Sequence, residues 1–308
     1  MIQLSVRPSR ALCAWTLMLA ACGGSTPDRV TLAWKLEPGA ELVYQVTTRS
    51  RSEAPRGQGS SENTMIQIRR LLVESVGPNG DATVSLRMGD DPATDQEMVV
   101  GLDGRLKSLG GSQRRASQRM AEPPSELAGF ASAMARMMTE ERMMTMAQQN
   151  IPTLPSGTLA PADTWQDSLV IQLTTGPVRT SFSLVLDALE RREGRTVALV
   201  SGTGDAPPET ATDMMGAMFG TLSDPSPGAQ DTEPANPLAA MAQVARMMNL
   251  DIETVTTTMT FDVDRGITLA SETIVTMTMT MPRAGDDVIP MTIEHELQLL
   301  EYNPGGQP

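Results

Sequence analysis

The sequence predicts an α+β fold, mainly antiparallel β, with two β-rich repeats and Met-rich helical insertions. Three observations carry this. Strand-like runs recur along the chain with turn residues between them. Segments of the first half have counterparts, in the same order, in the second half. Three other stretches place apolar residues, many of them Met, at helical spacing.

Residues 1–21 read as a signal peptide. Arg7 and Arg10 form a basic start, and Ala11 to Ala21 is an uncharged, mostly apolar run. A helical membrane span needs about 20 such residues, so this run is too short to be one. It ends Leu19-Ala20-Ala21-Cys22, which resembles the lipobox of bacterial lipoproteins. The resemblance implies cleavage before Cys22 and a diacylglycerol on its thiol. Residues 22–30 are then the lipidated Cys and its tether, with Gly23-Gly24-Ser25-Thr26-Pro27 as the flexible part. Multiple acyl chains anchor stably where one does not. The implied partner is therefore the membrane, through the lipid on Cys22, and the implied place is the cell envelope. Gly23, where an Asp would signal inner-membrane retention in that family, points to the outer membrane. An ordinary secretory signal in which Cys22 merely falls near the cut is the alternative. Cys13 lies in the removed segment, so no intramolecular disulfide is expected.

Residues 31–112 form the first expected β repeat. Its strands are Leu42 to Thr48, Met65 to Val73, Ala82 to Met88, Met98 to Val100 and Arg105 to Leu109, with turns at Gly77 to Asp81 and Asp103-Gly104. Residues 113–158 are a helical link. Ser125 can cap a helix to Gln149, with Leu127, Phe130, Met134, Met137, Met138 and Met144 near one face. Residues 159–308 form the second repeat, interrupted by a helical insertion at 206–250. That insertion holds predicted helices at Thr210 to Phe219 and Pro237 to Asn249, the latter with Asn236 as N-cap. Strands are expected at Ser181 to Leu186, Thr196 to Val200, Thr254 to Val263, Ile267 to Met281 and Val288 to Leu300.

The duplication rests on three pairs. Leu36 to Leu42 matches Leu159 to Trp165, the Gly80 turn matches Arg192 to Arg195, and Gly101 to Leu106 matches Phe261 to Ile267. Coincidence among turn-rich segments is the alternative. Trp34, Leu36, Pro38, Gly39, Leu42 and Tyr44, with Ala162, Asp163 and Trp165 later, also resemble a group of duplicated β-rich envelope lipoproteins. Those motifs are structural and imply no chemistry. A looser likeness to envelope lipoprotein carriers implies half-barrel-like curved sheets with helices over the concave face.

Composition excludes several functions. A net charge of −13 argues against a nucleic-acid surface, so no nucleic-acid partner is expected. One His and two Cys exclude multi-His and four-Cys metal sites. No nucleophile elbow or phosphate loop is present. Period-two alternation puts His295 with Ile293 and Leu297, away from Glu294 and Glu296, so these acids cannot orient it. Asp90, Asp91 and Asp95, and Asp262 with Asp264, lack the spacing of a calcium loop. No enzyme, metal or cofactor is expected.

The 23 Met leave three readings open: core packing, an adaptable apolar groove, or soft Cu(I) ligation. The leading expectation is a non-enzymatic envelope lipoprotein that binds an apolar ligand, a lipid or acyl chain, between sheet and helices. Met134, Met138, Met218 and Met248 are the candidate ligand-binding residues. The alternative is a structural lipoprotein docking an envelope protein partner.

Overall fold

β-branched residues at period two favour pleated backbone over helix. The computed structural model describes residues 26–53, 59–89, 96–110, 144, 148, 152–173, 176–205, 249–281 and 287–305. The strands are β1 (Val30–Thr31), β2 (Glu41–Glu53), β3 (Ser60–Val76), β4 (Ala82–Met88), β5 (Gln96–Val100) and β6 (Leu106–Leu109). After them come β7 (Thr158–Leu159), β8 (Thr164–Leu173), β9 (Gly176–Arg192), β10 (Arg195–Asp205), β11 (Asn249–Asp262), β12 (Ile267–Met281) and β13 (Asp287–Asn303). Eleven of these form one antiparallel sheet in the order β6-β5-β4-β3-β2-β13-β12-β11-β10-β9-β8, and β1 pairs with β7 apart from it.

This corrects the α+β expectation. The described residues are mainly antiparallel β and contain no helical element; Met144 and Gln148 alone have helical backbone. The expected helices from Ser125 to Gln149, Thr210 to Phe219 and Pro237 to Asn249 otherwise lie outside the described residues. The exception is Asn249, which opens β11 and so belongs to a strand. β2 and β13 pair from Glu41 opposite Asn303 to Ser52 opposite Met291, so a single sheet runs through both halves. The physical reason is the edge: a meander ending at β2 or β13 would leave a long row of backbone N–H and C=O groups without partners. Each strand supplies the other's missing ladder.

The turns that enter the two meanders are built alike. Gly39 N donates to Val73 O at 2.7 Å, and Val73 N returns to Ala40 O at 2.9 Å. In the second half Ala162 N donates to Leu186 O at 2.7 Å, and Leu186 N returns to Asp163 O at 3.0 Å. Gly39 and Ala162 both adopt a left-handed conformation, φ +80 and +73. Asp163 steadies the non-glycine version by accepting from Ala160 N through Oδ2 at 2.8 Å.

A strap crosses one end of the sheet. Leu32 and Trp34 are buried in the core. Trp34 N donates to Leu102 O at 2.8 Å and Lys35 N to Gly266 O at 3.1 Å, so the strap joins the β5–β6 turn to the β11–β12 turn. The Trp34 ring meets Phe261 edge-on at 6.2 Å, and its indole N–H donates to Pro152 O at 3.3 Å. Burial raises the Asp167 carboxyl on β8, opposed by the Ser168 N–H and by the charge of Arg105, just before β6.

Candidate functional site

One face of the sheet carries the core. Strand pairing aligns its residues in rows across the strands. Near the strap the face is apolar, with Leu42, Tyr44 and Val46 on β2, Leu71 and Val73 on β3, and Phe261 on β11 all buried. Tyr44 reaches over β13 to donate from its hydroxyl to Thr268 O at 3.1 Å, and burial pushes its phenol pKa up.

Farther from the strap a polar row interrupts the face. Register places Met65, Thr48, His295, Thr273, Thr257 and Gly202 side by side on β3, β2, β13, β12, β11 and β10. Leu184 and Trp165 continue the row to β8. Thr48 Oγ1 lies 3.2 Å from His295 Nδ1, and Thr257 Oγ1 lies 3.1 Å from Thr273 Oγ1. Beyond this row the face turns apolar again. Ile293, Val275 and Val255 form one row, and Met291, Met277 and Ile252 the next. Val275, Met277, Val255 and Ile252 are buried. Met65, at the start of the polar row, is 55% exposed, so the row opens to solvent at β3. There β4 has already ended, with Met88 opposite Arg69.

Burial, and behind it the charge of Arg69, lower the His295 pKa from 6.5 to about 4. Burial also brings Arg69 down to about 10; its Nε donates to Gln67 Oε1 at 3.1 Å. His295 is therefore neutral at pH 7. The unfolded chain binds the proton between about pH 6.5 and 4 where the folded chain does not, so stability falls as pH drops through that window and levels off below it. A shift of this size corresponds to at most about 3 kcal/mol. His295→Leu is expected to remove that part of the slope. Urea midpoints at pH 7.5 and pH 4.5 check it: the gap should narrow against wild type, while the carboxylate contribution stays in both proteins.

Glu294 and Glu296 face the other way, where Arg49 pairs with them at 2.7 and 3.7 Å. Exposed pairs of this kind contribute little to stability. That outward face also carries the exposed side chains Ile66, Leu72, Val288 and Leu300.

A second polar cluster is a structural corner. Asp262 is fully buried; its Oδ1 accepts from Arg265 N at 3.0 Å, and its Oδ2 lies 3.4 Å from Arg195 Nε without hydrogen-bond alignment. Asp264 accepts from Thr196 N at 2.6 Å, and Lys35 Nζ donates to Val263 O at 2.9 Å. The two acids hold the β11–β12 turn to β10, and Lys35 ties that turn to the strap. Among the described residues, no group of three or more His, Cys, Asp or Glu is placed to hold a metal. No helix among them is long and apolar enough to cross a membrane.

Cys22, Met134, Met138, Met218 and Met248 all lie outside the described residues. Of the methionines on the predicted helical faces, Met144 is described, and it packs against the core. The polar row was not anticipated. Its sequence signal was the position of His295 on the Ile293 and Leu297 face; its partners depend on pairing between distant strands.

No family model matches the chain, and no curated protein matches it. Among solved structures it is similar to lipovitellin, in a structure of lipid–protein interactions, at 10% identity and a TM-score of 0.39. The match covers 89% of this chain and 26% of that one, so this chain spans about a quarter of lipovitellin's length. A likeness that distant says nothing of function.

Proposed function

We propose that this protein is a non-enzymatic lipoprotein of the cell envelope that binds an apolar ligand, a lipid or acyl chain, on the core-bearing face of its sheet. The observation that carries the reading is the face itself. From β13 to β11 it carries the apolar rows of Ile293, Val275 and Val255 and of Met291, Met277 and Ile252, and the polar row beside them reaches solvent at Met65. Burying apolar surface is worth roughly 25 cal/mol per Å², so an acyl chain gains affinity where it covers apolar atoms open to solvent, as at Met65. His295, the chain's single histidine, bonds a threonine rather than a carboxylate, which supports binding over acid–base catalysis.

The tether is part of the same proposal. Arg7, Arg10, the apolar run to Ala21 and Leu19-Ala20-Ala21-Cys22 support lipidation of Cys22 and attachment to the outer membrane. Anchoring by lipid suits an acidic chain, because a negative surface gains nothing from anionic head groups.

Two measurements test this. Cys22→Ser should abolish incorporation of labelled fatty acid and the cleavage that depends on it; continued labelling contradicts the anchor. The chain from Gly23 onward, expressed without the signal segment and purified without detergent, should carry a noncovalent lipid adduct in native mass spectrometry. A clean apo mass, with no uptake of added lipid, contradicts the ligand.

A further inference from the structure

Two hairpin turns at the strap end of the sheet share one backbone plan and differ at the residue before their second glycine. In the β3–β4 turn Gly77 N donates to Asp81 O at 2.8 Å and Gly80 N to Gly77 O at 3.0 Å. In the β5–β6 turn Gly101 N donates to Arg105 O and Gly104 N to Gly101 O, both at 2.9 Å. Gly80 and Gly104 adopt the same left-handed conformation, φ +80 and +76. A Cβ on Gly80 would also lie 2.8 Å from Leu102 Cδ2. The fold thus demands glycine after Asn79 in one turn and after Asp103 in the other. A glycine leaves the backbone nitrogen unobstructed for attack on the side chain before it. The Asp103 side chain is occupied: Oδ1 accepts from Arg105 N at 3.0 Å, and Oδ2 lies 3.6 Å from Arg105 Nε. A carboxylate also resists nucleophiles. Asn79 is exposed, and its side chain makes no hydrogen bond among the described residues. It is the one asparagine of the chain that glycine follows.

We propose that Asn79 is a self-modifying site, which Gly80 N converts to an acid with water as the only co-reactant. A bond forms between Gly80 N and Asn79 Cγ, and the Cγ–Nδ2 bond breaks. The Gly80 proton passes to solvent base, and the departing nitrogen takes a proton from water and leaves as ammonia. Water then opens the five-membered imide. The net change is amide plus water to carboxylate plus ammonium, with nothing oxidised or reduced. Opening at the side-chain carbon leaves aspartate in a normal backbone, able to accept from the N–H two residues on as Asp103 does. Opening at the backbone carbon diverts the chain through the side chain and adds a methylene to the turn. That turn packs on Leu102, whose carbonyl holds Trp34 N in the strap. Both products add a negative charge two residues from Asp81, which Lys107 pairs with at 2.6 Å.

The test incubates the folded chain from Gly23 onward at pH 8.5, beside the same chain in urea, and follows each asparagine by peptide mapping. Asn79 should convert first among the asparagines of the folded protein. One restraint holds its nucleophile, the bond from Gly80 N to Gly77 O. Folding should therefore slow the conversion only about 2–10-fold against urea, the value of one net hydrogen bond. The product should accept methyl groups from an isoaspartate methyltransferase, which reads the diverted backbone. Asn79→Gln keeps an amide but would have to close a six-membered ring, so it should remove both the conversion and the methyl acceptance. Asp103 should stay in its normal linkage over the same time. Protection of Asn79 beyond about tenfold, earlier conversion of another asparagine, or undiminished methyl acceptance in Asn79→Gln overturns the inference.

Discussion

Gly266→Ala is expected to destabilise the protein by about 2–5 kcal/mol and to free the strap from the sheet. Gly266 sits at φ +66, where a side chain costs roughly 1–2 kcal/mol. The larger part of the effect is contact. A Cβ there would lie 2.6 Å from Ala33 O and press on Lys35 N, the group that donates to Gly266 O. Both obstacles are backbone, so neither can rotate away. The strap must retreat, and overpacking of this kind typically costs 1–3 kcal/mol. In a Trp15→Phe, Trp165→Phe background, Trp34 fluorescence reads the strap directly. The variant should show a red-shifted emission and a lowered urea midpoint together. An unchanged emission maximum would mean that the strap tolerates the methyl.

Trp34→Ala should cost about 3–5 kcal/mol, at the upper end of core substitutions. The side chain is 3% exposed, packs edge-on against Phe261 and donates to Pro152 O. Its removal leaves a void beneath the β5–β6 and β11–β12 turns and frees the Pro152 carbonyl. Trp34 and Gly266 act through the same strap. Once Gly266→Ala has lifted it, Trp34→Ala has less left to remove. The double variant should therefore be less destabilised than the sum of the single variants by at least about 1 kcal/mol. Additivity within about 0.5 kcal/mol would show that the strap is not one unit.

Much of the strand content was legible because alternation is local. Ala82 to Met88 and Ile267 to Met281 fold as read, and Val275 and Met277 share a face as their spacing requires. The turn at Asp103-Gly104 and the counterpart turn at Gly266 were legible for the same reason: glycine marks the left-handed positions. Strand pairing was not legible. Thr48 and His295 are 247 residues apart, and nothing near either residue names the other. The pairing of β2 with β13 likewise follows from a backbone requirement that any long strand could meet. Asn249 was misplaced because the Ala and Met run before it has helical spacing, while β11 begins at that residue. The polar row combines these two cases. Its face was readable from His295, whereas its width across six strands, from β3 to β10, exists only in the register.

The central claim is that an acyl ligand occupies the core-bearing face rather than the outward one. Photo-crosslinking with a diazirine-bearing acyl chain, followed by peptide mapping, tests it most directly. The two faces alternate residue by residue along each strand, so the adducted positions identify the face. Adducts at Met65, Met291 or Ile293, the core-bearing-face positions that solvent reaches, are the predicted result. Adducts confined to Ile66, Leu72, Val288 and Leu300 on the outward face, or no saturable labelling at all, would contradict the account.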